Sequence, residues 1–191
     1  MGGDNGKGQF TYPYPRPSLT VDAVIIAAPQ DTAPQLLLIQ NRLPSPAPAL
    51  HRKHDPFAGS WALPGGFVDE NEPLDRAAAR ELQEETSVDP SSVLLTQVGA
   101  FGDPGRDPRG WCVTVAYGAI VPSTQLGVKA ADDAQAAEWF PISSPPRLAF
   151  DHKLVVRTAF RHLAAQGGVA AALAEQLRAA ADALEGPWQE Q

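Results

Sequence analysis

Residues 65–88, GGFVDENEPLDRAAARELQEETSV, constrain the fold more than any other part of this sequence. Pro73 suits the first turn of a helix, because its missing N–H has no partner to lose there. The alanine run at 77–79 and Leu82 favour helix over strand. We therefore predict a helix over residues 73–86, preceded by a charged loop that begins at two glycines.

Three glutamates crowd the C-terminal half of this helix. Glu81 and Glu85 are one turn apart, and Glu84 lies about 60° round the axis from Glu81. Like charges at these spacings repel, and the helix dipole disfavours anions near its C-terminus. A solvated acidic face would be the purely structural explanation. The preceding pair Gly65 and Gly66 permits close backbone approach, which instead favours a functional site for a hard divalent cation, magnesium first.

The rest of the chain mixes strands and helices. Runs rich in apolar and β-branched residues predict strands at 19–28, 35–41, 92–101, 111–121 and 136–142. Two helices are predicted at 151–165 and 169–185, separated by the pair Gly167–Gly168. This order of elements indicates the α/β class.

The length of 191 residues suffices for one domain with an appendage. We expect residues 1–17 to be a flexible N-terminal segment without regular structure and residues 18–150 to be the domain. Residues 151–191 are expected to be a helical extension packed on the domain or on a dimer partner. The Pro-rich loop at 42–60 is long enough to be functional.

Composition narrows the classes of function. A net charge of −7 argues against a general nucleic-acid binder and against a polybasic membrane binder. An anionic small substrate is still allowed, because bound metal ions can invert the local field. The single cysteine, Cys112, lies in an apolar run and is expected to be a buried small hydrophobe. Without a signal core or an apolar membrane span, we expect a cytoplasmic protein.

The stretch at 65–88 resembles the signature of the Nudix hydrolases. That signature is a glycine, five residues, a glutamate, seven residues, Arg-Glu, an apolar residue, any residue, Glu-Glu, any residue, a glycine and an apolar residue. The corresponding residues here are Gly66, Glu72, Arg80, Glu81, Leu82, Glu84, Glu85, Ser87 and Val88. Ser87 alone departs, standing where a helix-capping glycine with positive φ is expected. Either serine adopts this left-handed conformation at a cost of about 1 kcal/mol, or the helix ends differently.

The resemblance implies a fold and a metal site. The expected fold is the α/β Nudix fold, an α/β/α sandwich with a mixed sheet, plus two C-terminal helices. By the family pattern Glu81 and Glu85 bind a divalent metal and Glu84 binds or supports it. Gly66 is counted with these metal-binding residues. Magnesium is the expected cofactor, with manganese as the alternative.

The resemblance also assigns supporting roles. Glu72 and Arg80 would pair to hold the loop on the helix, a structural role. A general base is expected from the loop before the last strand, which here reads KAADDAQAAE. Asp132 and Asp133 are the candidates there, with Glu138 less favoured, and Asp133 is the residue we name.

The implied reaction is hydrolysis of a nucleoside diphosphate linked to another group. Pro104 stands sixteen positions beyond Val88, a spacing that resembles the ADP-ribose pyrophosphatase branch. ADP-ribose, cleaved to AMP and ribose 5-phosphate, is therefore the expected substrate. Arg106 and Arg109 in the same loop, and Arg52 in the Pro-rich loop, could grip phosphate or ribose through bidentate contacts.

Two other functions compete with this one. The same metal helix would serve a pyrophosphohydrolase of nucleoside triphosphates such as oxidised dNTPs. A domain that senses ADP-ribose and regulates transcription is the alternative from another class. Because the two C-terminal helices lack a basic recognition face, we expect catalysis. The expected partners are a small nucleotide substrate and, by analogy with related pyrophosphatases, a second copy of the chain.

Overall fold

The computed structural model describes residues 3–4, 10–41, 57–130 and 134–185. At the start of the chain, β1 (Gly3–Asp4) pairs antiparallel with β2 (Phe10–Thr11). The expectation that residues 1–17 have no regular structure is therefore wrong for these four residues. Phe and Thr favour strands, and here two short strands pair locally.

The main sheet has seven strands and mixed pairing. Its strands are β3 (Ser18–Ala27), β4 (Gln35–Asn41), β5 (Trp61–Ala62), β6 (Gly65–Phe67), β7 (Thr96–Phe101), β8 (Cys112–Val121) and β9 (Ala134–Pro141). Central strand β3 pairs in parallel with β8, and antiparallel with β4 and β6. β7 extends the sheet beyond β8, while β5 and β9 both pair with β4.

Helices cover both faces of this sheet. They are α1 (Leu74–Thr86), α2 (His152–Ala164) and α3 (Ala171–Ala183). Alternate residues of β3 face opposite layers, so Ile25 packs with Leu82 of α1 while Ile26 packs with α2 and α3. The predicted α/β/α sandwich with a mixed sheet is confirmed. Its second helical layer, α2 and α3, lies entirely within residues 151–191 and packs on the sheet. No helix of the described residues is long and apolar enough to cross a bilayer.

The strand predicted at 92–101 begins only at Thr96, because a short 3-10 helix precedes it at Pro90–Ser92. The carboxylate of Asp89 accepts a hydrogen bond from the backbone N–H of Ser91 at 2.9 Å. Such local side-chain bonds favour turns over strands. Cys112 is buried, as expected for a small hydrophobe.

Ser87 ends α1 in the left-handed region, with φ 61° and ψ 9°, and its N–H donates to the carbonyl of Gln83. This is the conformation for which glycine was expected at that position. Serine there carries a steric cost that glycine would avoid.

Replacing Ser87 by glycine should therefore raise the free energy of unfolding by roughly 0.5–1 kcal/mol, since relief of left-handed strain outweighs the added backbone entropy. Chemical denaturation measures the change. Ser144→Gly is the matched control, because Ser144 is exposed and its φ is not positive. Ser144→Gly should lower the free energy of unfolding. Equal changes of this free energy in the two variants would contradict the proposed strain at Ser87.

Candidate active site

The backbone of β6 lies directly against two of the clustered glutamates. The N–H of Gly65 donates to Oε2 of Glu85 at 2.8 Å. A Cβ atom added to Gly66 would stand 2.6 Å from the carboxylate of Glu81. Glycine is required here because a side chain would occupy the space of that carboxylate. The structure thus brings together Gly66, Glu81 and Glu85, three of the residues that the resemblance counts as metal-binding.

Arg80 links the loop to the helix. Its Nε donates to Glu72 at 2.8 Å, and its Nη2 donates to the carbonyl of Phe67 at 3.0 Å. Its Nη1 donates to Glu81 at 2.8 Å and to Glu84 at 2.9 Å. The pairing expected of Glu72 and Arg80 is present, and the same guanidinium compensates part of the charge of the acidic cluster.

The carboxylates that surround Arg80 differ in their environments. The hydrogen bond from Arg80, followed by that from the N–H of Asp69, lowers the pKa of Glu72 to about 2. Burial raises the pKa of Glu81, although Arg80 opposes the rise. A partly buried carboxylate whose charged form is disfavoured gains most from a nearby cation.

The donor atoms fit a hard divalent cation. Glu81, Glu84 and Glu85 offer only carboxylate oxygens from one helix, and oxygen is the donor that magnesium and calcium prefer. Glu81 and Glu84 accept from the same nitrogen of Arg80, so their carboxylates are neighbours. Among the described residues, no three acidic, His or Cys side chains already stand in a metal-binding arrangement.

Gly66→Ala should weaken cation binding without unfolding the protein. The new Cβ would displace the carboxylate of Glu81, which ends a flexible side chain, while the strand itself can stay paired. We expect a 10- to 100-fold loss of Mn²⁺ affinity in calorimetric titration, the usual scale for losing support of a metal ligand. Gly99→Ala on β7 is the control, because its Cβ would meet nothing within 4 Å. Equal affinity in both variants would contradict the predicted role of Gly66.

The predicted substrate-binding residues occupy different environments. Pro104 is exposed in the turn between β7 and β8. Arg109 pairs with Asp107 at 2.8 Å and lies over the ring of Phe150. Arg106 was also predicted to contact the substrate, but its side chain is buried and its guanidinium donates to Asp151, so it is not exposed where a substrate could reach it. Arg52 lies outside the described residues.

The predicted general base, Asp133, and its neighbour Asp132 also lie outside the described residues. The chain just before them is bonded to α1, because the N–H of Lys129 donates to the carbonyl of Thr86 at 2.9 Å. Glu138, the less favoured candidate, is exposed on β9.

Sequence reasoning missed a buried polar cluster on the α2 face of the sheet. Asp22 accepts a hydrogen bond from Thr114 at 2.6 Å and lies 3.4 Å from Nε2 of His152. Arg106 donates to both carboxylate oxygens of Asp151, at 2.9 and 2.6 Å. One signal was available, since Asp22 interrupts the apolar run LTVDAVIIAA and a charge on a buried strand is costly without partners.

A mixed sheet between two helical layers, with a glutamate-rich helix beneath a Gly–Gly strand, defines a Nudix-type hydrolase domain. The sequence profile of the NUDIX domain matches residues 17–159, and the chain belongs to this family. The resemblance drawn from residues 65–88 is therefore confirmed, and the chain is a Nudix hydrolase.

Relatives with stated activities are similar over most of the chain. An ADP-ribose pyrophosphatase of Methanocaldococcus jannaschii is 36% identical over 148 residues, covering 78% of this chain and 76% of the relative. The ADPR responsive transcriptional repressor NtrR of Acinetobacter baylyi is 37% identical, but this chain spans only 56% of its length and 78% of its own. The NUDIX domain of Shewanella oneidensis NrtR, solved in complex with ADP ribose, superposes with a TM-score of 0.64 at 32% identity, covering 78% of this chain and 90% of that one.

Proposed function

We propose that this protein is a divalent-metal-dependent pyrophosphatase that hydrolyses ADP-ribose to AMP and ribose 5-phosphate. The observation that carries the proposal is the contact of Glu81 and Glu85 with the backbone of Gly65 and Gly66. It supplies clustered oxygen donors on a rigid element. The similarity to the M. jannaschii ADP-ribose pyrophosphatase supports the choice of substrate.

Each residue of the site has a stated task. Glu81, Glu84 and Glu85, with Gly66, would hold magnesium or manganese, which when bound neutralises the diphosphate and makes water a better nucleophile. The Gly65 N–H fixes an oxygen of Glu85, and Arg80 fixes Glu81 and Glu84. Asp133 takes the proton from the attacking water. The oxygen of this water bonds to one phosphorus of the diphosphate, and the bridging P–O bond breaks. The other phosphate leaves on the second product.

Cationic residues and turn residues would bind the substrate. We assign Arg52, Arg109 and Pro104 to the phosphate and ribose groups, as the sequence predicted. Arg106 is not assigned with them, because its guanidinium is buried and donates to both carboxylate oxygens of Asp151. Arg109 extends from an exposed turn, so its guanidinium can meet a ligand at the surface. A homodimer and a cytoplasmic location also stay predictions of the sequence.

An ADP-ribose-sensing regulatory domain is the second candidate. The similarity to the A. baylyi repressor and to the ADP-ribose-bound NrtR domain favours it. Both candidates bind the same ligand, so binding alone does not separate them. Measurements of ADP-ribose turnover and of DNA binding distinguish the two candidates.

The test is product analysis with ADP-ribose, NADH and a dNTP set that includes oxidised bases, each with magnesium and then with chelator. We expect AMP and ribose 5-phosphate from ADP-ribose, and none with chelator. Dominant turnover of an oxidised dNTP would overturn the substrate. ADP-ribose binding without turnover, together with a specific DNA gel shift at physiological salt, would favour the regulator.

A further inference from the structure

The segment at residues 63–66, which joins β5 to β6 and includes the first two residues of β6, is held from the face opposite the glutamates. The N–H of Leu63 donates to Nδ1 of His152 at 2.9 Å, a buried contact between the segment and the start of α2. The carbonyl of Pro64 accepts from the N–H of Ala23 at 2.8 Å. A Cβ on Gly65 would stand 2.7 Å from Oδ1 of Asp22.

On its other side, the same segment contacts Glu81 and Glu85. The N–H of Gly65 donates to Glu85, and Gly66 lies against the carboxylate of Glu81. Only Pro64 therefore separates the residue bonded to His152 from the residue bonded to Glu85. A shift of the backbone at Leu63 would pass directly to the atoms that hold the glutamates.

His152 is itself fixed in one state. Burial lowers its pKa, against the opposing charges of Asp22 and Asp151, so the ring is neutral. Because Nδ1 accepts from Leu63, the single proton lies on Nε2, which faces Oδ1 of Asp22 at 3.4 Å. Asp22 in turn accepts from Thr114 at 2.6 Å and lies 3.9 Å from Nη2 of Arg106.

The turn that aims His152 inward is strained. Phe150, two residues earlier, has a φ of 53°, a conformation that non-glycine residues rarely adopt. Its ring packs against those of Phe57 and His152, at centroid distances of 4.3 and 5.1 Å. Strain maintained by such packing is frequent next to functional sites.

We propose that His152 is a positioning residue of the active site, which through its bond to the Leu63 N–H holds residues 63–66 in the place where they support Glu81 and Glu85. The role rests on the proposed function. It is separable in experiment, because cation affinity and backbone protection are measured without substrate.

The test compares two substitutions that preserve different ends of the imidazole. In His152→Asn the amide oxygen stands where Nδ1 was, so the acceptor for the Leu63 N–H is kept. His152→Gln extends past that point toward Asp22 and loses the acceptor. His162→Gln on the same helix is the control, because His162 makes no contact with residues 63–66 among the described hydrogen bonds.

Mn²⁺ affinity by calorimetry and hydrogen exchange of the Leu63 amide by NMR are the readouts. We expect His152→Gln to lose 10- to 100-fold in affinity and protection at Leu63, and His152→Asn to recover most of both. Equal affinities in the two variants would overturn the proposal. Should His152→Gln not fold, a tenfold loss in His152→Asn would overturn it as well. Absence of ADP-ribose turnover by the wild-type protein, with these contrasts intact, would count against the proposed function alone.

Discussion

Replacing Glu85 by glutamine is expected to lower magnesium-dependent hydrolysis of ADP-ribose by about 10²–10³-fold while the fold stays intact. Glutamine keeps an oxygen that can accept from the N–H of Gly65, so the support of β6 is retained. It removes one negative charge from the proposed cation site, where a bound cation would contribute several kcal/mol of transition-state stabilisation, at about 1.4 kcal/mol per tenfold in rate. Steady-state kinetics over a range of magnesium concentrations measures the loss.

Glu175→Gln provides the control for this substitution. Glu175 is an exposed residue of α3, and its replacement removes the same charge away from the acidic cluster. Its activity should match that of the wild-type protein, and circular dichroism should show both variants folded. Unchanged turnover in Glu85→Gln would rule out the proposed cation site.

The second large effect concerns stability. Asp151→Ala should lower the free energy of unfolding by about 3–5 kcal/mol, because it leaves the buried guanidinium of Arg106 without its bidentate partner. Burial works to lower the pKa of Arg106, but its bonds to Asp151 and the charges of Asp151 and Asp22 outweigh burial and raise it. Arg106 therefore stays charged, and denaturant titration measures the cost.

Asp182→Ala is the matched control, since it breaks an Arg–Asp pair of the same chemistry at the surface. Asp182 accepts from Arg161 at 2.9 Å, and its side chain is 67% exposed. Exposed pairs contribute about 0–1 kcal/mol because water and salt screen them. Similar losses in the two variants would show that the Arg106–Asp151 pair is not buried as described.

The sequence was sufficient to predict helix α1, because its signals are local, but strand β6 next to it was predicted as part of a loop. The helix predicted at 73–86 is observed at Leu74–Thr86, and the left-handed cap expected at Ser87 is present. Helical spacing alone places Glu81 and Glu85 on one face. The pair Gly65 and Gly66 indicated close backbone approach, which the structure shows as the contact of β6 with these glutamates.

The buried cluster could not be predicted in the same way, because it joins four distant parts of the chain. Asp22 on β3, Thr114 on β8, Arg106 in a turn and His152 on α2 meet only when the sheet is assembled. The register of the parallel pair β3–β8 decides that contact, and nothing local encodes it. Arg106 illustrates the consequence, since its position in a charged turn suggested an exposed ligand for phosphate, while the fold buries it on Asp151.

Direct titration of the protein with Mn²⁺ and Mg²⁺, by calorimetry and by thermal melting, tests most directly whether the acidic cluster of α1 is a cation site. We predict saturable binding and a rise in melting temperature for the wild-type protein, and neither in a Glu81→Gln/Glu85→Gln double variant. No heat of binding and no gain in melting temperature at millimolar cation in the wild-type protein would contradict the account.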